Sequence, residues 1–260
     1  PLNNWDVGAV TTMEGMFWGA SSFNQDISGW DVSGVTNFYR MFGVASAFNQ
    51  PLAKWNMKSA ENFGIMFNGS AFNQDISGWN TSNVMYTSWM FGNTDFNHPI
   101  NTQDVSDNYG YNNGQDYKAW DMSKLLATGG MFHSNEKFNQ PLDKWNTSDV
   151  DVMPNMFLGA SAFNQDISSW DTGKVNNMNS MFNGASSFNH PLDNWNVSAV
   201  TNLSNMFKSA SSFNQDLNSW TTSSLTSISQ MFRGATNFNG KISNFDVSNC
   251  VNFTYLFFHA

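Results

Sequence analysis

The side chains that could do chemistry in this chain recur at fixed spacing. Three residues after a repeated Phe, Asp26, Asp75, Asp166 and Asp216 alternate with Pro51, Pro99, Pro141 and Pro191. Neighbouring carboxylates could form an acid–base pair or share a calcium ion. At strand spacing, however, aspartates on alternate repeats lie about 10 Å apart. This distance favours a turn, at which Asp and Pro are two solutions to one bend, over a weak calcium column.

Other chemical motifs are absent from the sequence. The histidines His98, His133, His190 and His259 lack the short spacing of paired metal ligands, so we expect ordinary surface histidines. The sequence contains no G-x-G-x-x-G, G-x-S-x-G or Walker pattern. We therefore predict a non-enzymatic protein with no catalytic residue, no cofactor and no metal site.

The composition narrows the class of partner. Lys and Arg number 11 against 20 Asp and Glu, which gives a formal net charge of −9 and disfavours nucleic acid as a partner. The 24 Phe, 11 Trp and 15 Met supply enough apolar side chains for a folded core. The single Cys excludes a disulfide framework within the chain. No apolar run is long enough for a membrane span in this segment.

A repeat organises the whole chain. The repeated tryptophans are Trp5, Trp30, Trp55, Trp79, Trp120, Trp145, Trp170, Trp195 and Trp220, mostly 25 residues apart. A Met-Phe pair and a Phe-Asn pair recur in step with them. Such a period is typical of stacked repeat arrays, in which each unit contacts only its neighbours. We expect the tryptophans to form a buried ladder and each repeated Asn to satisfy backbone groups of its own and the next unit.

The apolar positions of one unit predict its elements. Ile27, Trp30 and Val32 have the spacing of a leucine-rich-repeat strand. Val35, Phe38 and Met41 follow at the spacing of a short helical or 3₁₀ segment. The fold class predicted for residues 1–260 is therefore a solenoid, a leucine-rich-repeat-like stack of about eleven coils of 25 residues in a single array.

One gap breaks the period, because Trp79 and Trp120 lie 41 residues apart. We interpret residues 99–115 as a shortened, degenerate coil. Its start aligns with the opening of the repeat, and counting Asp116 restores the Asp/Pro alternation. The alternative is a loop inserted between two ordinary coils. Pro1 and Ala260 both fall within a repeat, so we also expect the chain to be a fragment of a longer protein.

Four aromatic residues and six sequons are candidates for contacts or modification. Trp18 and Trp89 lie outside the ladder, and Tyr109 and Tyr111 lie in the irregular segment, so these four form a candidate interaction surface. The N-x-Ser/Thr sequons place candidate N-glycosylation sites at Asn68, Asn80, Asn146, Asn196, Asn202 and Asn252.

The unit that begins at Phe23 reads FNQDISGWDVSGVTNFYRMFGVAS. This pattern resembles the tandem repeat of roughly 26 residues found in bacterial surface proteins and mycoplasma lipoproteins, a domain of unknown function. It is also similar to BspA-like leucine-rich repeats. The resemblance covers the whole chain and implies an extracellular or cell-surface location. It implies no catalytic residue.

The functional expectation is adhesion or protein–protein binding, with a protein or glycan surface ligand as partner. The alternative is a structural subunit of an extracellular filament or coat, formed by self-association. A glycan- or ice-binding array is a weaker third alternative, and it requires aromatic rings that face the solvent.

Overall fold

The structure is a computed structural model that describes residues 2–110 and 112–260. In these ranges, ten units stack in chain order and are joined by parallel bridges between equivalent residues. The bridged residues are Thr12, Asn37, Asn62, Tyr86, Ala127, Val152, Asn177, Asn202, Ser227 and Asn252. Each unit therefore pairs with the next one along the chain.

Backbone hydrogen bonds join the units along the segment that follows each bridge. In the unit of Asn37, the N–H groups of Phe38, Arg40, Phe42 and Val44 donate to carbonyls of the next unit at 2.7–2.9 Å. Between them, the N–H groups of Met41 and Gly43 donate to the carbonyl three residues earlier, and the Tyr39 N–H donates to Asn37 Oδ1 at 3.0 Å. Alternate N–H groups thus hold the stack together, while the others close tight turns within a unit.

These tight turns replace the predicted helical segment. Arg40 and Val44 are the third residues of two consecutive four-residue turns and have φ values of 61° and 59°. Positive φ at the third residue is typical of a type II turn and is incompatible with a right-handed helix. No helix occurs in residues 2–110 and 112–260, so the apolar spacing at Val35, Phe38 and Met41 belongs to successive turns.

The segment predicted as a strand also differs. Ile27 and Trp30 bracket a turn, because the Trp30 N–H donates to the Ile27 carbonyl at 3.1 Å. Parallel pairing occurs further along the unit, at Asn37. Ile27, Trp30 and Val32 are nevertheless all buried. The spacing therefore reports burial at both ends of a bend and not an extended strand.

Identical aromatic side chains form columns through the core. Phe42 and Phe67 stack with ring centroids 5.7 Å apart, and Trp145 and Trp170 stack at 6.2 Å. At one edge, the Asn24 side-chain oxygen accepts the backbone N–H of Asn49 in the next unit at 2.9 Å. This bond recurs along the array and confirms the predicted role of the Asn ladder for the backbone of the next unit.

The interpretation of residues 99–115 as a shortened coil is wrong. Strands β1 (Gln103–Val105) and β2 (Tyr117–Ala119) pair antiparallel with each other as a hairpin. Trp79 and Trp120 are direct neighbours, with ring centroids 6.5 Å apart, and the Trp120 N–H donates to the Trp79 carbonyl at 3.0 Å. The hairpin is therefore an insertion, and the described array has ten units instead of eleven.

The insertion lies within a unit, between Ile100 and Trp120. Ile100 still fills its buried slot, and Trp145 Nε1 donates to its carbonyl at 2.7 Å. The hairpin contacts the preceding unit through Tyr117, whose Oη donates to the Gly78 carbonyl at 2.7 Å. The Asp/Pro alternation does not hold at the insertion, because the two adjacent units carry Pro99 and Pro141 in the same slot.

Candidate interaction surface

The tryptophan column lies in the core, as predicted. The side chains from Trp30 to Trp220 in this column are at most 4% exposed. Each indole also has a polar partner: Trp170 Nε1, for example, donates to the Leu142 carbonyl of the preceding unit at 2.9 Å. Only Trp5 among the described ladder residues is exposed, at 55%. The faces of the other rings are buried in the core, so a ligand cannot stack on them.

The aspartates of the alternating slot are turn residues, which confirms that interpretation for Asp26, Asp75 and Asp166. Each accepts the backbone N–H of the Ser two residues later, at 2.8–2.9 Å. The Ser168 N–H, and after it the Ser168 hydroxyl, lower the pKa of Asp166. Asp216 differs, because it accepts the Lys241 N–H of the next unit at 2.8 Å.

Two histidines substitute for the repeated Gln. His98 Nε2 and His190 Nε2 each contact an Asn carbonyl of the preceding unit at 3.1 Å. In another unit, the repeated Gln makes the same contact, from Gln50 Nε2 to the Asn24 carbonyl at 3.1 Å. The Asp116 carboxyl lies outside the column, in the loop before β2. Across residues 2–110 and 112–260, no group of three or more His, Cys, Asp or Glu side chains is placed to hold a metal ion.

The three described residues of the predicted aromatic interaction surface, Trp18, Trp89 and Tyr109, lie apart from one another. Trp18 is 46% exposed and packs beside the Arg40 guanidinium, 5.2 Å from its ring centroid. Tyr109 is 63% exposed in the hairpin loop, and Tyr111 lies outside the described residues. Trp89 is half-buried, which corrects the expectation of an exposed ring. Its indole covers Gly130 and lies 4.5 Å from the His133 ring centroid.

The six sequons differ in accessibility. Asn146, Asn196 and Asn252 are exposed, Asn68 and Asn202 are half-buried, and Asn80 is buried. In the exposed sites the Asn side-chain oxygen accepts the N–H of the sequon's own Ser or Thr at 2.9–3.1 Å. These side chains therefore act as turn residues, and Asn80 is inaccessible as an acceptor.

A polar notch of about 490 Å³ is lined by Ser70 and Thr94, among other residues. In the two units that contain them, the segment between the Met-Phe pair and the following Phe is one residue shorter than in the other units. Ser70 and Thr94 replace the usual Ala there, and their hydroxyls donate to the carbonyls of Phe67 and Phe91 at 2.7 and 2.8 Å. The floor of the notch is thus hydrogen-bonded within the fold.

Sequence reasoning missed an apolar area on the bridged side of the stack, which we call the apolar window. It consists of Met85, Tyr86, Trp89, Leu126, Val152 and Pro154, of which Tyr86 is the most exposed at 41%. Other units place polar residues in the same slots, as with Asn176 and Asn177. The sequence alone does not show which slots face outward, because the bridged slot is identified only by the structure. Once that slot is known, comparing its residues between repeats reveals the window.

Comparison with known proteins gives one family. The family model described as "Mycoplasma protein of unknown function, DUF285" matches the chain in overlapping stretches at residues 1–103, 62–114, 103–197 and 168–260. No curated protein and no solved structure matches the chain. Within the described residues, no helix is long and apolar enough to cross a membrane.

Proposed function

Since the chain belongs to the family described as a mycoplasma protein of unknown function, we propose its role from its surface: a non-enzymatic extracellular scaffold that binds other proteins, in adhesion or in complexes. The proposal treats the stack as a solenoid related to BspA-like leucine-rich repeats. The repeat pattern and the parallel pairing between units support this relationship.

One observation carries the proposal: the buried Phe42 slot keeps one residue type, while the outward slot on the bridged side varies. The column that contains Phe42 is Phe in all ten units. The bridged column, in contrast, includes Asn37, Tyr86, Ala127 and Val152. A rigid scaffold with varied exposed side chains is the arrangement that repeat proteins use for recognition.

The aspartates support a non-enzymatic role. Asp26, Asp75 and Asp166 hydrogen-bond within their own turns, and each lies in a different unit. The array therefore offers separate structural carboxylates in place of the convergent acid and base that hydrolysis would need.

The test is binding by the purified chain. The chain is immobilised and exposed to purified fibronectin, fibrinogen and laminin, with sedimentation velocity to establish its own association state. The proposal expects a monomeric chain with saturable binding to at least one of these proteins. Regular fibres in negative stain without binding to any of the three would contradict it and favour the structural-subunit alternative.

A further inference from the structure

We infer that the apolar window is the docking surface for a segment of a partner protein that carries apolar and basic side chains. The inference rests on the proposed function, and it adds the place of contact and the chemistry of the partner.

The window is continuous across three units. Parallel bridges join Tyr86 to Ala127 and Ala127 to Val152. The Leu126 N–H donates to the Met85 carbonyl at 2.9 Å, so these two apolar side chains occupy equivalent slots in neighbouring units. Trp89 extends the area, because its indole lies over Gly130 of the next unit. The six residues therefore lie in neighbouring slots of three consecutive units.

The fold does not require apolar residues in these slots. Asn occupies the slot of Tyr86 in the units of Asn37, Asn62, Asn177 and Asn202, and the stack continues through all of them. Thr occupies the slot of Leu126 at Thr36, Thr201 and Thr226. A contiguous, partly exposed apolar area, in slots that are polar in most other units, marks an interaction site.

Carboxylates at both ends of the window determine the sign of the partner's charge. Glu61 and Asp151 occupy the slot of Met85 and Leu126 in the units on either side. Both residues are exposed, and neither carboxylate makes a hydrogen bond or ion pair within the described residues. The nearby Lys124 ammonium donates to Asn83 Oδ1 at 2.6 Å. Two acidic ends on a chain of net charge −9 favour a basic partner.

The same charges disfavour a second copy of this chain as the occupant. Two windows facing each other across a two-fold axis would bring the Glu61 end of one copy towards the Asp151 end of the other. Like charges in an interface oppose association. Glu61 and Asp151 are three units apart, about 15 Å at strand spacing, which corresponds to four or five residues of an extended peptide.

The experiment titrates the full chain against fluorescent ten-residue peptides. The probes alternate Lys with Leu, Glu with Leu, and Lys with Ser. The window variant is Tyr86→Asn with Leu126→Thr, both residues that the array already uses in these slots. The matched control is Asn202→Ala with Thr201→Ala, in a unit outside the window. A charge variant combines Glu61→Gln with Asp151→Asn.

The Lys/Leu peptide should bind best, and the window variant should weaken its binding by about tenfold, as expected when central apolar contacts are lost. The control should bind as the unaltered chain does. The charge variant should bind less tightly and with less dependence on salt.

Unchanged binding by the window variant would overturn the inference, as would equal binding of the Lys/Leu and Glu/Leu peptides. A dimer that the window variant dissociates would show that a second copy is the occupant, and would also overturn it. Absence of peptide binding would do the same. The fibronectin, fibrinogen and laminin measurements test the proposed function separately, so the two can fail independently.

Discussion

At the residue scale, each buried tryptophan combines an apolar ring with one hydrogen bond to the unit before it. Trp170 is 2% exposed and stacks on Trp145 and Trp195 at 6.2 and 6.3 Å. Its Nε1 donates to the Leu142 carbonyl at 2.9 Å. A buried indole with a satisfied N–H is stabilising, whereas an unpaired one would be costly.

Replacing this side chain should therefore be strongly destabilising. We expect Trp170→Ala to reduce the free energy of unfolding by about 3–5 kcal/mol, as for large aromatic truncations in cores. Urea unfolding followed by circular dichroism measures the change. The control is Trp18→Ala, which should cost clearly less because that side chain is 46% exposed. Equal costs for the two variants would contradict burial of the column.

Asp166 occupies a turn slot in which the fold accepts either Asp or Pro. We expect Asp166→Pro to leave the melting temperature near its original value at neutral pH, because Pro141 and Pro191 fill this slot in the adjacent units. Differential scanning fluorimetry with and without millimolar calcium measures it. A large calcium-dependent stabilisation that the variant loses would contradict the turn role, because a ligand stabilises only by binding the folded state.

The same variant should change the response to acid. The Ser168 N–H lowers the pKa of Asp166 in the folded chain. The resulting stability is present above the unfolded-state pKa of about 3.9 and is lost as the pH falls through the lower folded-state pKa. Melting temperatures of Asp166→Pro should therefore fall less steeply below about pH 4 than those of the original chain.

At the scale of the elements, the consecutive turns depend on residues with positive φ. Gly184 has a φ of 75°, and the nearest atom to an added Cβ would be 3.5 Å away, so conformation rather than space limits substitution. We expect Gly184→Ala to destabilise the chain by about 1–2 kcal/mol. Gly29→Ala is the matched control, since nothing lies within 4 Å of an added Cβ and its φ is not positive. Similar unfolding midpoints for the two variants would contradict the turn geometry.

The hairpin is expected to be dispensable for the stack. Replacing residues 101–119 by Ser-Ser would give Ile100 and Trp120 the spacing that Ile167 and Trp170 already have. Because Trp79 and Trp120 are already neighbours, the shortened chain should keep its circular dichroism spectrum and its cooperative unfolding. An unfolded product would show that β1 and β2 contribute to the core.

The sequence predicted the repeat and its buried columns, since identical apolar residues every 25 positions are typical of units that stack on one another. It did not predict the elements within a unit, because burial spacing cannot distinguish a helix from successive turns. Arg40, Val44 and Ile65 give no local sign of positive φ, which glycine usually supplies. The Asp/Pro alternation does not predict the hairpin, because it is interrupted at Pro99 and Pro141; the polar, glycine-rich sequence between β1 and β2 is the local sign of a loop.

At the scale of the whole molecule, the departures from the repeat are concentrated in neighbouring units. The apolar window, the polar notch and the inserted hairpin involve the units of Asn62, Tyr86, Ala127 and Val152. The units of Asn177 and Asn202 keep polar outward slots and unshortened turns. A uniform core can tolerate such local variation because each unit contacts only its neighbours.

The central claim is that ten units stack in register, with the hairpin outside the stack, and distances along the array test it most directly. Nitroxide labels are placed at Lys54 with Asn194, and at Lys54 with Asn244, in a slot that also accepts Gly and Ser. Cys250 is first replaced by Val, the residue at Val35 in the same slot. Electron–electron double resonance should give separations of about 32 and 44 Å, which are five and seven units at the 6.3 Å that separates neighbouring rings in the adjacent tryptophan column. Separations of about 38 and 50 Å would indicate an extra coil within the stack, and distances that do not grow with the number of units would contradict the stack itself.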